Sequence, residues 1–385
     1  MTTTASPEFE TKIDFIYLSE QDMIRAGVTD MAACVDTMEE MFGLLHSGDY
    51  RMAGANNDSH GAMIMFPEDS PFANMPKPTA DRRMMAMPAY LGGSFGTCGV
   101  KWYGSNIENR AKGLPRSILM FTLSDADTSA PLAYMSANLL SAYRTGAIPG
   151  VGARHLARKD SRVVGLVGPG VMGKTTLAAF MATCQNIDAL KIKGRSHASI
   201  ESFIAWAKES YPQLTTIQSV DSLEEVVRDS DIVTYCNSGE VGDPATYPFV
   251  KREWVKPGAF LVMPALCNID EAMEKHDIRK VLDNTGLYQA WYDEAPKPAH
   301  HYIPVIGVRF MDMIEEGKLT LDELEDIGKI VAGEAPGRTN DEEIILMSVG
   351  GMPVEDVAWA TWVYRNALKQ DIGVKLNLWD TPVLS

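Results

Sequence analysis

The chain has 385 residues, of which 45% are hydrophobic and 22% are charged, and its formal net charge is −16 at pH 7. This composition is typical of a globular protein long enough for two domains, and the acidic charge argues against a nucleic-acid partner. The absence of a long apolar run or signal peptide, and five scattered cysteines without a CxxC pair, predict a cytoplasmic protein without a membrane span, disulfide framework or metal site.

The N-terminal part has the pattern of an antiparallel α+β unit. Apolar residues spaced by three and four predict a helix over 31–45, which ends near Gly48. The stretch 54–80 is rich in Gly, Asn and Pro, and we interpret it as a loop or a substrate-facing insertion. Four apolar runs are predicted as strands, of which the last two form a hairpin: 84–91, 99–103, 118–123 and 131–135.

The middle of the chain changes character after a helical stretch at 137–158, which we expect to be interrupted near Pro149. From residue 161 onward, strand patterns alternate with helix patterns, which is typical of a doubly wound parallel sheet. The predicted strands are 163–167, 189–193, 231–236 and 259–265, and the predicted helices are 175–183, 199–209 with Ser199 as N-cap, and 354–368, followed by a polar tail. The fold class is therefore α/β, with a Rossmann sheet and an N-terminal α+β domain.

A GxGxxG motif follows the first apolar strand of this second part and opens a helix, as dinucleotide binding requires. The first glycine permits a tight turn, the second lets the backbone approach a pyrophosphate, and the third allows close helix–strand packing. A glycine-rich turn that arose by chance is the alternative. The motif consists of Gly168, Pro169, Gly170, Val171, Met172 and Gly173.

The residues that follow the second strand of the Rossmann pattern bear on the choice of cofactor. An acidic residue about 20 positions past the loop usually binds the adenosine ribose of NAD. Here that position is Gly194, followed by Arg195 and Ser196, which can bind a 2′-phosphate instead. The sequence therefore predicts a preference for NADP(H), with NAD(H) possible. The alternative is that Lys193 and Arg195 are solvated surface charges.

Three cations outside the Rossmann pattern are candidates for holding an anionic substrate: Arg51, Lys101 and Arg144. Lys101 lies inside an apolar strand pattern, where an ammonium group is costly to bury without a partner. A substrate carboxylate is one such partner, and desolvation would lower the lysine pKa toward acid/base use. The alternative is that Lys101 extends to solvent at a strand edge and Arg144 forms a structural ion pair.

From Met31 to Leu368 the chain resembles the ornithine cyclodeaminase/μ-crystallin family. Six ordered blocks carry the resemblance: Met87-Pro88-Ala89-Tyr90-Leu91; Gly99-Val100-Lys101-Trp102 with Gly113-Leu114-Pro115-Arg116; Tyr143-Arg144-Thr145-Gly146-Ala147; the glycine loop; Gly337-Arg338-Thr339-Asn340-Asp341; and Ser348-Val349-Gly350 with Glu355-Asp356. The resemblance implies a homodimer in which residues 1–145, completed by 341–385, form the substrate and dimerisation domain, and 146–340 form the Rossmann domain.

The resemblance also implies roles for individual residues. Arg51, Lys101 and Arg144 are expected to hold the carboxylate of an imine or amino-acid substrate. Besides the glycine loop, Arg195 and Ser196, we assign three further residues to cofactor binding: Asn237, Ser348 and Gly350. Family members pass through an imine next to a carboxylate, with hydride moving to or from the nicotinamide.

One departure from the cyclodeaminase pattern favours reduction. Those enzymes carry a catalytic aspartate after the fifth strand, whereas this chain has Cys267 or Asn268 there, and Asp270 could serve only if the turn were rebuilt. We therefore expect an NAD(P)H-dependent oxidoreductase that acts on a C=N or amino-acid C–N bond next to a carboxylate. The alternatives are an ornithine cyclodeaminase, which is an NAD-dependent ammonia lyase, and a μ-crystallin-like small-ligand binding protein.

Overall fold

The computed structural model describes residues 11–79, 81–237 and 244–384, which form two eight-stranded sheets. The first is mixed and has the strand order β18-β1-β7-β6-β5-β4-β2, with β3 paired to β4. Its strands, numbered in chain order, are β1 (Ile13–Leu18), β2 (Tyr50–Met52), β3 (Ala62–Ile64), β4 (Arg83–Leu91), β5 (Thr97–Ser105), β6 (Ser117–Asp125), β7 (Pro131–Ser136) and β18 (Val374–Trp379).

The second sheet is parallel throughout and has the order β10-β9-β8-β11-β13-β17-β15-β16. Its strands, with a separate short parallel pair formed by β12 (Phe249–Val250) and β14 (Asn268–Ile269), are β8 (Val163–Val167), β9 (Ala189–Lys193), β10 (Thr216–Ser219), β11 (Ile232–Tyr235), β13 (Phe260–Met263), β15 (Ile278–Leu282), β16 (Leu324–Asp326) and β17 (Ile344–Ser348). Strand order reverses between β8 and β11, where a doubly wound sheet binds its ligand. The predicted α/β class with a Rossmann sheet is confirmed.

Helices cover both sheets and join them. They are α1 (Glu20–Arg25), α2 (Met31–Ser47), α3 (Asn138–Leu156), α4 (Val171–Thr183), α5 (His197–Ser210), α6 (Leu223–Val227), α7 (Thr285–Glu294), α8 (Ile306–Glu315), α9 (Ile327–Val331) and α10 (Pro353–Lys369). Helix α10 packs on β4 and β5, while α3 packs on α2, α4 and α10 and so lies between the two sheets. No helix in the described ranges is long and apolar enough to cross a membrane.

Two helix predictions were wrong in detail. Helix α3 is continuous through Pro149, because close packing holds it in place: a Cβ at Gly150 would lie 2.7 Å from the Cβ of Ala179 on α4. Helix α5 begins after Ser196, whose hydroxyl accepts a hydrogen bond from the backbone N–H of Ser199. Ser196 is therefore the N-cap, and Ser199 lies in the first turn.

The C-terminal tail differs from expectation, and the predicted domain boundaries fall at α3 and β17. The predicted polar tail contains β18, which pairs antiparallel with β1, a partner more than 350 positions away that local patterns cannot indicate. The predicted boundary after residue 145 falls inside α3, and the one after 340 precedes β17. Since β17 pairs with β13 and β15, the Rossmann sheet extends to Ser348.

Candidate active site

Lys101 lies in β5 and points toward the interior of the first domain. It is directly opposite the buried Met87 of β4, and only 2% of Lys101 is exposed. Its Nζ lies 2.8 Å from Oδ2 of Asp356 and donates a hydrogen bond to the hydroxyl of Ser141 at 3.2 Å. The ammonium group is therefore buried with a partner, and the alternative of a lysine that extends to solvent does not hold.

Arg144 reaches the same place from α3. Its Nε donates to Oδ1 of Asp356 at 2.9 Å, and its Nη1 donates to Oε2 of Glu355 at 2.6 Å. Asp356 thus bridges Lys101 and Arg144, and both carboxylates belong to the first turn of α10 and are fully buried. We call these four residues the charge cluster.

Burial sets the protonation equilibria of the charge cluster. The pKa of Lys101 is lowered to about 8, chiefly by burial and then by the nearby Arg144 guanidinium. The pKa of Glu355 is raised to about 7, chiefly by burial, against the opposing effect of Arg144. Two groups that ordinarily titrate far from neutrality therefore change charge near pH 7 to 8, which suits acid/base chemistry at physiological pH.

Arg51 does not join the charge cluster. It lies in β2 opposite Tyr90 of β4, and side chains alternate between the faces of a strand, so Arg51 lies on the outer face while Lys101 lies on the inner one. Its Nη1 donates to the carbonyl oxygens of Gly48 and Tyr50. Of the three cations predicted to lie together, the structure brings only Lys101 and Arg144 to the same place.

His60, which sequence reasoning missed, lies beside the charge cluster instead. Its Nδ1 is 2.8 Å from the carbonyl oxygen of Gly351, and its ring centroid is 5.3 Å from that of Trp291 on α7. The pKa of His60 is lowered to about 3, chiefly by burial and then by Lys101 and Arg144. A single histidine in a Gly/Asn-rich stretch gave no signal that could have identified it.

The glycine loop has the geometry that a dinucleotide needs. Gly168 has a φ of +99°, and a Cβ there would lie 2.6 Å from the backbone of Cys236, which follows β11. Above Gly170 there is open space, and this N-cap of α4 receives no side-chain cap. Unsatisfied N–H groups at this helix end therefore face a free volume at the switch point between β8 and β11, as a pyrophosphate requires.

Asn237, the second residue after β11, provides independent support for a ligand at the switch point. Its Oδ1 is buried without a hydrogen-bond partner among the described residues. A buried acceptor without a partner is costly, and a donor on a bound ligand would satisfy it. Asn237 lies at the glycine loop, since a Cβ at Gly168 would be 2.7 Å from its backbone nitrogen, and the two together fit a dinucleotide.

The structure explains why the residue after β9 carries no acidic side chain. A Cβ at Gly194 would lie 2.7 Å from Cγ of Pro169 in the glycine loop, so there is no room for a side chain. Arg195 and Ser196 follow and are both exposed. The Ser196 hydroxyl is partly committed to capping α5, because it also donates to Oγ of Ser199 at 2.9 Å.

Ser348 and Gly350 lie at the carboxyl end of β17, between the loop and the charge cluster. The Ser348 hydroxyl is buried and accepts a hydrogen bond from the backbone N–H of Gly307. The N–H groups of Gly350 and Gly351 both donate to Oδ2 of Asp283. Gly351 has a φ of +78°, and a Cβ there would lie 2.9 Å from Nη1 of Arg144, so this turn directly joins the Rossmann sheet to the charge cluster.

The region where cyclodeaminases carry an aspartate has no carboxylate at the site. Cys267 is buried, and burial raises the pKa of its thiol. The Asp270 carboxylate accepts hydrogen bonds from the backbone N–H groups of Arg252 and Met273, so it stabilises a turn. Asp270 therefore does not replace the missing group. Elsewhere in the described ranges, no group of three His, Cys, Asp or Glu side chains could hold a metal ion.

Comparison with known proteins agrees with this geometry. A sequence profile of the ornithine cyclodeaminase/mu-crystallin family matches residues 27–371. The chain belongs to this family. It is 25% identical to an N-((2S)-2-amino-2-carboxyethyl)-L-glutamate dehydrogenase of Staphylococcus aureus, over 95% of this chain and 99% of that protein. It is 29% identical to an alanine dehydrogenase of Archaeoglobus fulgidus, over 76% and 83% respectively.

Solved structures give the same result for the fold. A Thermococcus litoralis Δ1-pyrroline-2-carboxylate reductase in complex with NADH and L-proline superposes with a TM-score of 0.74 at 24% identity, covering 94% of this chain and 99% of that one. An archaeal alanine dehydrogenase dimer with bound NAD has a TM-score of 0.73 at 24% identity, covering 95% and 100%. The family member described here is an NAD(P)-dependent dehydrogenase or reductase, as the sequence predicted.

Proposed function

We propose that this family member reduces an imine whose carbon carries a carboxylate, giving an amino acid or an N-substituted amino acid, with NADP(H) as the preferred cofactor. The observation that carries the proposal is the joining of two sites by the Gly350–Gly351 turn. On one side is a glycine loop with an open helix N-terminus and the orphan acceptor of Asn237; on the other are two buried cations.

The charge cluster has donors left for a substrate carboxylate. Arg144 has five N–H groups, and its hydrogen bonds to Asp356 and Glu355 leave Nη2 without a partner among the described residues. Lys101 has three donors, of which Asp356 and Ser141 take two. Because Asp356 and Glu355 fix both cations, the remaining N–H groups are pre-oriented and need little reorganisation when an anion binds.

Lys101 is also the group suited to supply the proton that reduction of an imine requires. With a pKa of about 8 it is mostly protonated at pH 7, yet it loses its proton more readily than an exposed lysine. The nicotinamide, when bound, supplies the hydride. Asp356, which is itself bonded to Arg144, holds the ammonium group of Lys101 in position.

The test of this function is oxidation of NADPH when 2-oxo acids are mixed with ammonia or an amine, and when 1-pyrroline-2-carboxylate is supplied as a preformed imine. We expect stoichiometric formation of the amino acid. Ammonia release from ornithine that is supported by NAD⁺ without net reduction would instead establish a cyclodeaminase, an outcome that the positions of Cys267 and Asp270 disfavour.

Cofactor preference is tested at Arg195. Replacing Arg195→Ala removes a cation near the expected 2′-phosphate, so we expect the Kd of NADPH to rise at least tenfold, while that of NADH changes less than about twofold. Fluorescence titration measures both. Arg162→Ala is a matched control, because Arg162 is an exposed arginine paired with Asp188 at the start of β8. A wild-type protein that binds NADH as tightly as NADPH would contradict the preference.

The outer face of the first sheet supports a homodimer. Tyr17, Trp102 and Ile118 are large apolar residues on this face, and each is more than a third exposed. Several large exposed apolar residues on one face of a sheet favour association through that face. The alanine dehydrogenase of the same fold is a dimer, and the present chain is proposed to associate through this sheet.

A further inference from the structure

Residues 54–61 connect the two domains. Asn56 donates through Nδ2 to the carbonyl oxygen of Gly286 at 2.8 Å. Asp58 accepts hydrogen bonds through Oδ1 from Tyr50 at 2.5 Å and from Nδ2 of Asn284, the N-cap of α7, at 3.1 Å. We call residues 54–61 the bridging segment, because it belongs to the first domain and is fixed to the start of a Rossmann-domain helix.

The bridging segment ends against β4, at the residue that pairs with Lys101. Gly61 has a φ of +134°, and a Cβ there would overlap the carbonyl oxygen of Ala86 and lie 3.1 Å from the Cα of Met87. Met87 is the residue directly opposite Lys101 in the sheet. Only glycine permits this approach, which places Gly61 beside Met87, with His60 as the residue before it.

The hydrogen bond to Gly351 fixes the chemistry of the His60 imidazole. A carbonyl oxygen only accepts, so Nδ1 carries the hydrogen and Nε2 has a free lone pair in the neutral ring. Nε2 has no hydrogen-bond partner among the described residues, and His60 is partly exposed. Two cations lie nearby, Lys101 and Arg144, and they oppose a third positive charge on the imidazole. His60 therefore presents an acceptor.

We propose that Nε2 of His60 accepts a hydrogen bond from the substrate side chain, so that the enzyme selects imines whose side chain bears a hydroxyl or amino donor over those with a second carboxylate. A second carboxylate, in the substrate side chain, would face the lone pair of Nε2 with no cation to balance it, because Lys101 and Arg144 already hold the carboxylate next to the imine carbon. The inference rests on the proposed imine reduction and specifies its substrate class.

Three 2-oxo acids with ammonia test the proposal by NADPH oxidation. Hydroxypyruvate and 2-oxobutanoate have nearly the same shape but differ in a hydroxyl against a methyl group, and oxaloacetate adds a carboxylate. We expect kcat/KM for hydroxypyruvate to exceed that for 2-oxobutanoate about tenfold, with oxaloacetate below both. The 2-oxo acids form their imines with ammonia in solution, and the extent of this reaction does not depend on the enzyme variant. Differences in imine formation therefore cancel when the ratio of two kcat/KM values is compared between variants.

Two variants distinguish the proposed role of Nε2 as a hydrogen-bond acceptor from the structural hydrogen bond between Nδ1 and Gly351. In His60→Asn the amide can still donate to Gly351 but does not reach the position of Nε2, so the hydroxypyruvate to 2-oxobutanoate ratio should fall to about one. In His60→Gln the amide oxygen can reach that position, so most of the ratio should return. If the hydroxypyruvate to 2-oxobutanoate ratio is unchanged in His60→Asn, or if the wild type prefers oxaloacetate, the inference about His60 is wrong and the proposed function is unaffected. Absence of NADPH oxidation with every 2-oxo acid overturns the proposed function as well.

Discussion

Replacing Lys101→Met is expected to lower kcat/KM by about a thousandfold while leaving the Kd of NADPH within about twofold of wild type. Lys101 contributes both a cation toward the substrate carboxylate and a transferable proton, and removal of either function alone costs about 10² to 10⁴ in rate. Methionine has a similar length and no charge, so it fits the buried position, and Asp356 keeps its bond to Arg144. Steady-state rates and fluorescence titration measure the two quantities.

The wild-type pH profile gives a second measurement on Lys101. Since its pKa is lowered to about 8, the protonated form is lost as pH rises through that value, and kcat/KM for preformed 1-pyrroline-2-carboxylate should then fall about tenfold per pH unit. Loss of the Glu355 proton near pH 7 acts in the same direction, because it adds a negative charge beside the two cations that face the carboxylate. A profile that stays flat to pH 10 would exclude Lys101 as the proton donor.

A second buried lysine provides the matched control. Lys280 in β15 is also 2% exposed, but its Nζ donates to the carbonyl oxygens of Lys275 and Ile278, away from the charge cluster. Lys280→Met should therefore change stability without a comparable loss of turnover. If Lys101→Met retained a tenth or more of the wild-type kcat/KM, its catalytic role would be disproved.

Replacing Asp356→Asn is expected to reduce the free energy of unfolding by about 3 kcal/mol, because it leaves Lys101 and Arg144 buried with only Glu355 to balance them. Asp356 bonds to both cations and is fully buried, so no solvent can replace the lost charge. Urea unfolding at pH 7 measures the change. Turnover should fall with it, since the two cations lose the group that orients them.

The substitution Glu355→Gln at the neighbouring position tests how much the charge of each carboxylate contributes to stability, because glutamine keeps the shape of the side chain and removes its charge. Burial raises the pKa of Glu355 to about 7, so this carboxyl group already carries a proton about half of the time at pH 7. The change should therefore cost about 1 kcal/mol, well below the cost of Asp356→Asn. Equal losses of stability in the two variants would show that the charge on Asp356 contributes no more to folding than that on Glu355.

The amino-acid sequence determined the features that depend on neighbouring residues. The glycine loop follows a buried strand and opens a helix, both of which are local patterns, and its geometry is as predicted. Lys101 was identifiable because a charged residue interrupts an apolar strand. Lys101 and Arg144 are brought together as the resemblance implied, although they are more than 40 positions apart.

Only the tertiary structure decided which other groups complete the site. A shift of one residue along a strand reverses the face, and this placed Arg51 on the outside of the sheet. Glu355 and Asp356 were visible as a motif, but their role depends on how α10 docks on β5 and α3. His60 enters through contacts to Gly351 and Trp291, nearly 300 and more than 200 positions away, and the interactions that place it are set by packing between domains.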